Sequence, residues 1–175
     1  ASLTADFVSA VRTRSETCNI ADTRKTTPGL RHLEKYAVRC GGGVNHRYGL
    51  SDGVLVKDNH LAYLRREGLT MALAVAEARR RLPHLYRVEI EVESLEQVQE
   101  ALEAGADALL LDNMSLEQMR DSVRLAEGRN VVLEASGNMS LERVPDVAAT
   151  GVHLISVGAL THSAPALDIS LDWTS

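Results

Sequence analysis

From residue 86 onward the chain alternates short apolar runs with helix starts at nearly even spacing. YRVEIEV (86–92), DALLL (107–111), NVVLEA (130–135) and VHLISV (152–157) read as strands. SLEQ at 94–97, SLEQ at 115–118 and SLER at 140–143 read as the helix starts between them. Apolar strands separated by helices predict a parallel sheet covered by those helices. Units of this length give either a β/α barrel or a doubly wound sheet.

Local signals agree with the rhythm. Ser94 with Gln97 and Ser115 with Gln118 have the spacing of a capping box, while Ser140 lacks the acceptor three residues on. Leu95, Val98 and Leu102 share one helix face, as do Leu116, Met119 and Val123. Gly105 and Gly151 stand where a left-handed helix end is wanted. Upstream, CNIAD (18–22) and GVLVK (53–57) predict two more strands. Helices are predicted at 30–39, from about 59, and at 70–82 before Pro83. Six strands are too few to close an eight-stranded barrel, so the expectation is an incomplete, open β/α barrel. Its edges need cover from another domain or a partner chain. We expect one α/β-barrel catalytic domain over 1–175, with 162–175 as a tail whose alternating DISLDWTS pairs elsewhere.

Charge is unevenly spread. Residues 1–66 hold 11 of the 19 basic and only 6 of the 24 acidic residues, a net of +5 against −10 for the rest. That split fits an anion site built early in the chain and carboxylates supplied later, or simply helix faces of different charge. Nucleic acid is a poor partner, because no basic–aromatic interleaving accompanies the charge. No apolar run is long enough to span a membrane, and the first residues lack a signal-peptide pattern. Two cysteines, Cys18 and Cys40, make neither a disulfide framework nor a thiolate metal site, which points to the cytoplasm.

In parallel sheets chemistry collects beyond the C-terminal strand ends. Here those ends carry Asp22-Thr23-Arg24-Lys25-Thr26, Lys57-Asp58-Asn59-His60, Glu91, Asp112-Asn113, Ser136-Gly137-Asn138 and Gly158-Ala159. Glu91 and Asp112 each stand three residues before a capping serine. They suit a hard cation such as Mg²⁺, or equally the free amides of the following helices. Glu89 shares their side of its strand, as a polar barrel interior or a subunit contact would require. Ser136, Gly137 and Gly158 offer backbone amides for a phosphate, although both segments also suit tight turns. Arg24, Lys25, Arg47 and Lys57, with His46, suit a small substrate with more than one carboxylate. Arg24 and Arg47 also suit surface ion pairs, and His46 a turn. Lys57 is open to a Schiff-base role in an aldolase-like barrel. Gly41-Gly42-Gly43 reads as a hinge or close-approach loop; Arg31, Arg39, Arg65, Arg66 and Arg79–Arg81 read as solvated helix faces.

The linked segments DTRKTTPGLRHLEKYAVRCGGGVNHRYGLSDGVLVKDNH (22–60), EIEVES (89–94), LLLDNMS (109–115), EASGNMS (134–140) and ISVGALTHS (155–163) strongly resemble quinolinate phosphoribosyltransferase. The resemblance covers essentially the whole chain. It implies phosphoribosyl transfer from phosphoribosyl pyrophosphate to quinolinate, giving nicotinic acid mononucleotide, pyrophosphate and CO₂ for NAD synthesis, with Mg²⁺. It implies Arg24, Lys25, His46, Arg47 and Lys57 around the quinolinate carboxylates. Glu91 and Asp112 would serve the metal–pyrophosphate or ribose end, and Ser136, Gly137 and Gly158 the phosphate. It further implies a homodimer or higher homo-oligomer, in which an N-terminal domain not represented here completes the neighbouring site. A related molybdate-linked group shares TRKT and GGGV-HR, but KDNH at 57–60 favours the quinolinate enzyme. A non-catalytic subunit or fragment is the alternative outside enzymology.

Overall fold

The computed structural model describes residues 1–173. Its frame is a six-stranded, all-parallel sheet of β1 (Asn19–Ala21), β2 (Val54–Val56), β3 (Val88–Val92), β4 (Ala108–Asp112), β5 (Val132–Ser136) and β6 (Leu154–Ser156). All six strands expected from the sequence are present, in the order β1-β6-β5-β4-β3-β2. The sheet does not close between β1 and β2, so the barrel is open.

Alternation along the strands separates two environments. Val88, Ile90, Val92, Leu109, Leu111, Leu133, Ala135 and Ile155 point outward and are almost fully buried under the helices. That layer is the core, and each such aliphatic side chain contributes about 1.5–3 kcal/mol on burial. The opposite face carries Glu89, Glu91, Leu110, Asp112, Glu134, Ser136 and Ser156 into the barrel interior. Register sets Leu110 beside Glu91 and Glu134, and Asp112 beside Ser136.

The covering helices are α1 (Ser2–Arg12), α2 (Arg31–Cys40), α3 (Asp58–Arg66), α4 (Met71–Arg81), α5 (Leu95–Glu103), α6 (Leu116–Leu125), α7 (Val144–Ala148) and α8 (Ala159–His162). The box at Ser115 forms in full. At Ser94 the hydroxyl accepts from the Gln97 amide, but the Gln97 side chain accepts from Glu93 instead. The helix expected from Ser140 begins only at Val144. Pro145 has no N–H to give the Leu141 carbonyl, so residues 141–143 remain a turn. Sequence reading assigned no helix to residues 1–12; α1 nevertheless buries Phe7 and Val11. The tail after α8 has no regular element through Trp173, and Leu167, Ile169, Leu171 and Trp173 are exposed. The last two residues of the DISLDWTS segment lie outside the described residues.

Edge cover comes in part from the chain itself, through residues 41–53. Val44 makes a parallel bridge with Ala21 of β1, its amide donating to the Ile20 carbonyl at 2.8 Å. Across the opening, the Arg47 Nη1 donates to the Gly53 carbonyl at 3.2 Å, just before β2. The glycine run makes this path possible. A Cβ on Gly43 would stand 2.9 Å from both Thr4 Cγ2 and Val38 Cγ1. We expect Gly43→Ala to cost about 1–3 kcal/mol by overpacking, measured by urea unfolding; unchanged stability would show that α1 and α2 yield freely.

Candidate active site

A cleft of about 260 Å³ opens at the C-terminal ends of the strands. Eight of the ten residues singled out from sequence line it: Arg24, Lys25, His46, Arg47, Lys57, Glu91, Asp112 and Ser136. Gly137 and Gly158 are not among the lining residues. Gly137 has φ +91°, and a Cβ there would fall 2.1 Å from Asn113 Oδ1. At Gly158 it would fall 2.6 Å from His162 Nε2. Gly137 is therefore required at its turn by its positive φ and by Asn113, whereas at Gly158 the exposed His162 ring could swing aside.

One buried carboxylate organises the basic wall. Asp22, at the end of β1, has no solvent exposure. It accepts from the Lys35 ammonium of α2, from Asn45 Nδ2 at 2.5 Å and from the His46 amide at 2.9 Å. Lys35 also donates to the His46 carbonyl at 3.1 Å. The segment carrying His46 and Arg47 is thereby tied to β1 and α2. Arg31, read from sequence as a solvated residue, braces the neighbouring loop instead. Its Nε donates to Thr26 Oγ1 at 3.0 Å and its Nη2 to the Arg24 carbonyl at 3.2 Å. Arg79 is likewise engaged, donating to Asp107 Oδ1 at 2.7 Å. Thr161 donates to the Lys25 carbonyl at 2.7 Å, fixing the same loop from α8.

The cations sit close enough to feel one another. Arg47 has its pKa lowered, first by burial and then by the Arg24 charge, although Glu89 and Asp52 oppose this. Such a pair gains from an anionic ligand more than an exposed arginine would. Lys57 lies 3.9 Å from Glu91. Burial raises the Glu91 pKa, Lys57 opposes, and Asp112 adds to the rise. His60 accepts from the Lys57 amide at 3.1 Å, so the last residue of KDNH shapes the start of α3.

Beneath the cations lies a group that sequence reading did not find. Glu134 of β5 is almost fully buried and lines the cleft floor. His46 Nε2 lies 3.3 Å from Glu89 and 3.6 Å from Glu134. Nδ1 of the same ring accepts the Arg47 amide at 2.8 Å, which leaves the neutral ring's proton on Nε2. The three side chains are close enough to hold a metal ion. A metal would need the Nε2 lone pair, however, and the Nδ1 acceptor role directs Nε2 to donate. His46 has its pKa raised: burial opposes the charge, but the hydrogen bond to Glu89 and the charges of Glu134 and Glu89 outweigh it. A second ring proton would displace the Arg47 amide, so we place the cluster's extra proton on the carboxyl side. Burial, then the Glu89 charge, push Glu134 up to about 7. The signal available in sequence was an acidic residue at alternate spacing to Ser136 within an otherwise apolar strand.

Next to Ser136, Arg143 braces the loop after β5, donating to the Met114 carbonyl at 3.1 Å and the Gly137 carbonyl at 3.4 Å. Asn113 Nδ2 donates to Asp112 Oδ2 at 2.8 Å.

An open, all-parallel β/α barrel with a cationic cleft at its strand ends is the class of protein that the fold and site define, and comparison with known proteins gives its family. Residues 1–172 match the family described as quinolinate phosphoribosyl transferase, C-terminal domain, and the chain belongs to that family. It is 48% identical to the probable nicotinate-nucleotide pyrophosphorylase [carboxylating] of Bacillus subtilis, over 91% of this chain and 53% of the relative. Identity to the corresponding Mycobacterium leprae enzyme is also 48%, over 98% of this chain and 59% of that one. The crystal structure of NadC from Streptococcus pyogenes superposes with a TM-score of 0.87 at 44% identity, over 97% of this chain and 57% of that chain. The chain thus spans little more than half the length of these relatives.

Glu134 gives a stability test. Its folded pKa lies above the usual carboxyl value of 4.5, so its contribution is fully present below about 4.5 and lost as pH rises through about 7. Glu134→Gln should therefore gain stability relative to wild type on going from pH 5 to pH 8 in denaturant titrations. A constant difference would place the proton elsewhere.

Proposed function

We propose that the protein containing this chain transfers the phosphoribosyl group of phosphoribosyl pyrophosphate to quinolinate with loss of CO₂, giving nicotinic acid mononucleotide. The observation that carries this reading is the cleft itself. Five basic-type side chains, Arg24, Lys25, His46, Arg47 and Lys57, line one basin together with two strand-end carboxylates, Glu91 and Asp112. A planar diacid matches the cations, since guanidinium binds carboxylate through paired donors. A sugar bearing phosphate and pyrophosphate matches the remainder.

The cations neutralise the two substrate carboxylates and orient the ring nitrogen toward the ribose carbon. Positioning and electrostatic stabilisation supply most of the acceleration for such a displacement. Glu91 and Asp112 fit a hard divalent cation: they share the cleft, and the Asp112 charge raises the Glu91 pKa, a repulsion such a cation relieves. Mg²⁺ held there would offset charge on the departing pyrophosphate. Ser136, beside Asp112 in register, faces the cleft where the 5′-phosphate would sit, with Gly137 and Gly158 shaping the adjacent turns. Once the nitrogen is alkylated, the pyridinium withdraws the electron pair released as the adjacent carboxylate leaves. No Schiff base is needed in this scheme; at 3.9 Å, Lys57 pairs with Glu91.

Leu33 and Tyr36 of α2 and Leu50 of the 41–53 segment are about 70% exposed. Apolar surface of this kind supports cover by a second copy or by further chain, consistent with a homo-oligomer. No helix among the described residues is long and apolar enough to cross a membrane, and a cytoplasmic location fits the two unpaired cysteines.

The full-length native gene product, given quinolinate, phosphoribosyl pyrophosphate and Mg²⁺, should yield nicotinic acid mononucleotide, with nicotinate a poor acceptor. No product from the folded protein would favour the molybdate-linked relative or a non-catalytic role. Arg47→Ala should raise the quinolinate KM roughly tenfold to a hundredfold, as loss of about 1.5–3 kcal/mol of charged hydrogen bonding implies, and leave that for phosphoribosyl pyrophosphate nearly unchanged. Asp112→Ala should weaken the Mg²⁺ dependence of the rate; an unchanged Mg²⁺ titration would remove Asp112 from the metal.

A further inference from the structure

Loss of CO₂ leaves an electron pair on the ring carbon next to the pyridinium nitrogen, and that carbon must gain a proton. The cleft's other acids, Glu91 and Asp112, stand at the strand ends, engaged by Lys57 and Asn113. Glu134 differs from them in three respects. It lies on the barrel floor, under the cations that would hold the substrate carboxylates. Its Oε1 is buried and has no hydrogen-bond partner, the one such side-chain atom among the described residues. Burying an unpaired polar oxygen costs about 1–3 kcal/mol, so its retention asks for a ligand or a function. Finally, Glu134 lines a second cavity of about 180 Å³ at the N-terminal ends of the strands.

That lower cavity is bounded by Val54, Arg87, Ala108, Val132 and Leu154, and shares His46, Arg47 and Glu134 with the upper cleft. The shared residues form a partition across the barrel, with substrate chemistry above and a separate space below. We propose that Glu134 is the proton donor to the ring carbon vacated by CO₂, and that it is recharged from the lower cavity past Glu89. The proposal rests on the decarboxylating activity put forward above.

The step balances as follows. The bond between the ring carbon and the carboxylate carbon breaks, CO₂ leaves, and the electron pair stays on the ring carbon beside the positive nitrogen. The Glu134 O–H bond then breaks as the C–H bond forms, and Glu134 becomes a carboxylate. One solvent proton, entering from below, restores the acid in each turnover. The groups around Glu134 favour this cycle. Burial, Glu89 from β3 and Asp22 from β1 raise its proton affinity, while His46 and Ser156 from β6 lower it; the Ser156 hydroxyl itself donates to the Ala135 carbonyl at 3.4 Å. With the ring nitrogens of His46 already engaged by Arg47 and Glu89, the imidazole holds the partition in place rather than carrying the proton.

The test compares wild type, Glu134→Gln and Glu134→Asp in the full-length gene product. General-acid catalysis contributes typically about 10²–10⁴-fold. The glutamine variant should therefore lose at least about tenfold in kcat, with both KM values within about twofold. The aspartate variant, still an acid, should recover part of the loss. The wild-type kcat should fall on the alkaline side as Glu134, at about 7, loses its proton, and the glutamine variant should lack that limb. In an equal mixture of H₂O and D₂O, the hydrogen-to-deuterium ratio at the vacated carbon should differ between wild type and Glu134→Gln, because water replaces the carboxyl as donor. Unchanged kcat, pH limb and isotope ratio in Glu134→Gln overturn the donor role alone. So does a rise in both KM values that Glu134→Asp fails to reverse, the mark of a purely structural residue. A wild-type protein that forms no product overturns the functional reading, and the donor role with it.

Discussion

The arrangement of the cleft depends on a single buried ion pair. Asp22 carries a full charge into a position without solvent, which is tolerable only because Lys35, Asn45 and the His46 amide converge on it. Those partners come from a helix and a loop separated from β1 by a dozen or more residues. Removing any of them would leave charge stranded rather than merely lose a contact. The network therefore acts as a geometric lock: the loop must return to the end of β1 and deliver His46 and Arg47 inside the barrel.

The lock also resolves how a six-stranded barrel manages its opening. Between β1 and β2 the chain places a strand-like residue, Val44, against β1, and an arginine against the carbonyl that precedes β2. The opening thus becomes the wall on which two of the cleft-lining side chains, His46 and Arg47, stand. Cover for an edge and construction of the cleft wall are here one piece of backbone, permitted by close packing at Gly41 and Gly43 and by the positive φ of Gly42.

Inside the barrel, parity decides chemistry. Each central strand gives its aliphatic residues to the helix-covered core and its polar residues to the interior. Glu89, Glu91, Asp112, Glu134 and Ser136 consequently share one space at different heights. Near the strand ends Glu91 meets Lys57, Asp112 meets Asn113, and both carboxylates line the cleft. Glu89 and Glu134, lower down, meet His46, and burial raises the proton affinity of Glu134. The same residue type therefore pairs with a lysine at the rim and has its proton affinity raised at the floor, the difference being depth.

Much of this was determined by the sequence alone. Six apolar runs, capping serines and Pro83 were enough for the strands, most helices and the parallel class, because these are local signals repeated along the chain. Six of the eight candidate residues that line the cleft do so because strand ends in a parallel sheet meet at one rim, while His46 and Arg47 arrive on the 41–53 segment. The tertiary structure decided the rest. It showed that Arg31 braces the Arg24 loop rather than facing water, and that α1, carrying a weak apolar pattern, is needed to cover the core. It delayed α7 to Val144 and made Gly137 a packing necessity. Above all, it placed Glu134 beside His46 and Glu89. Their proximity depends on strand order, register and a long loop folding back across the barrel, and no local spacing in the chain encodes which residues will share that interior.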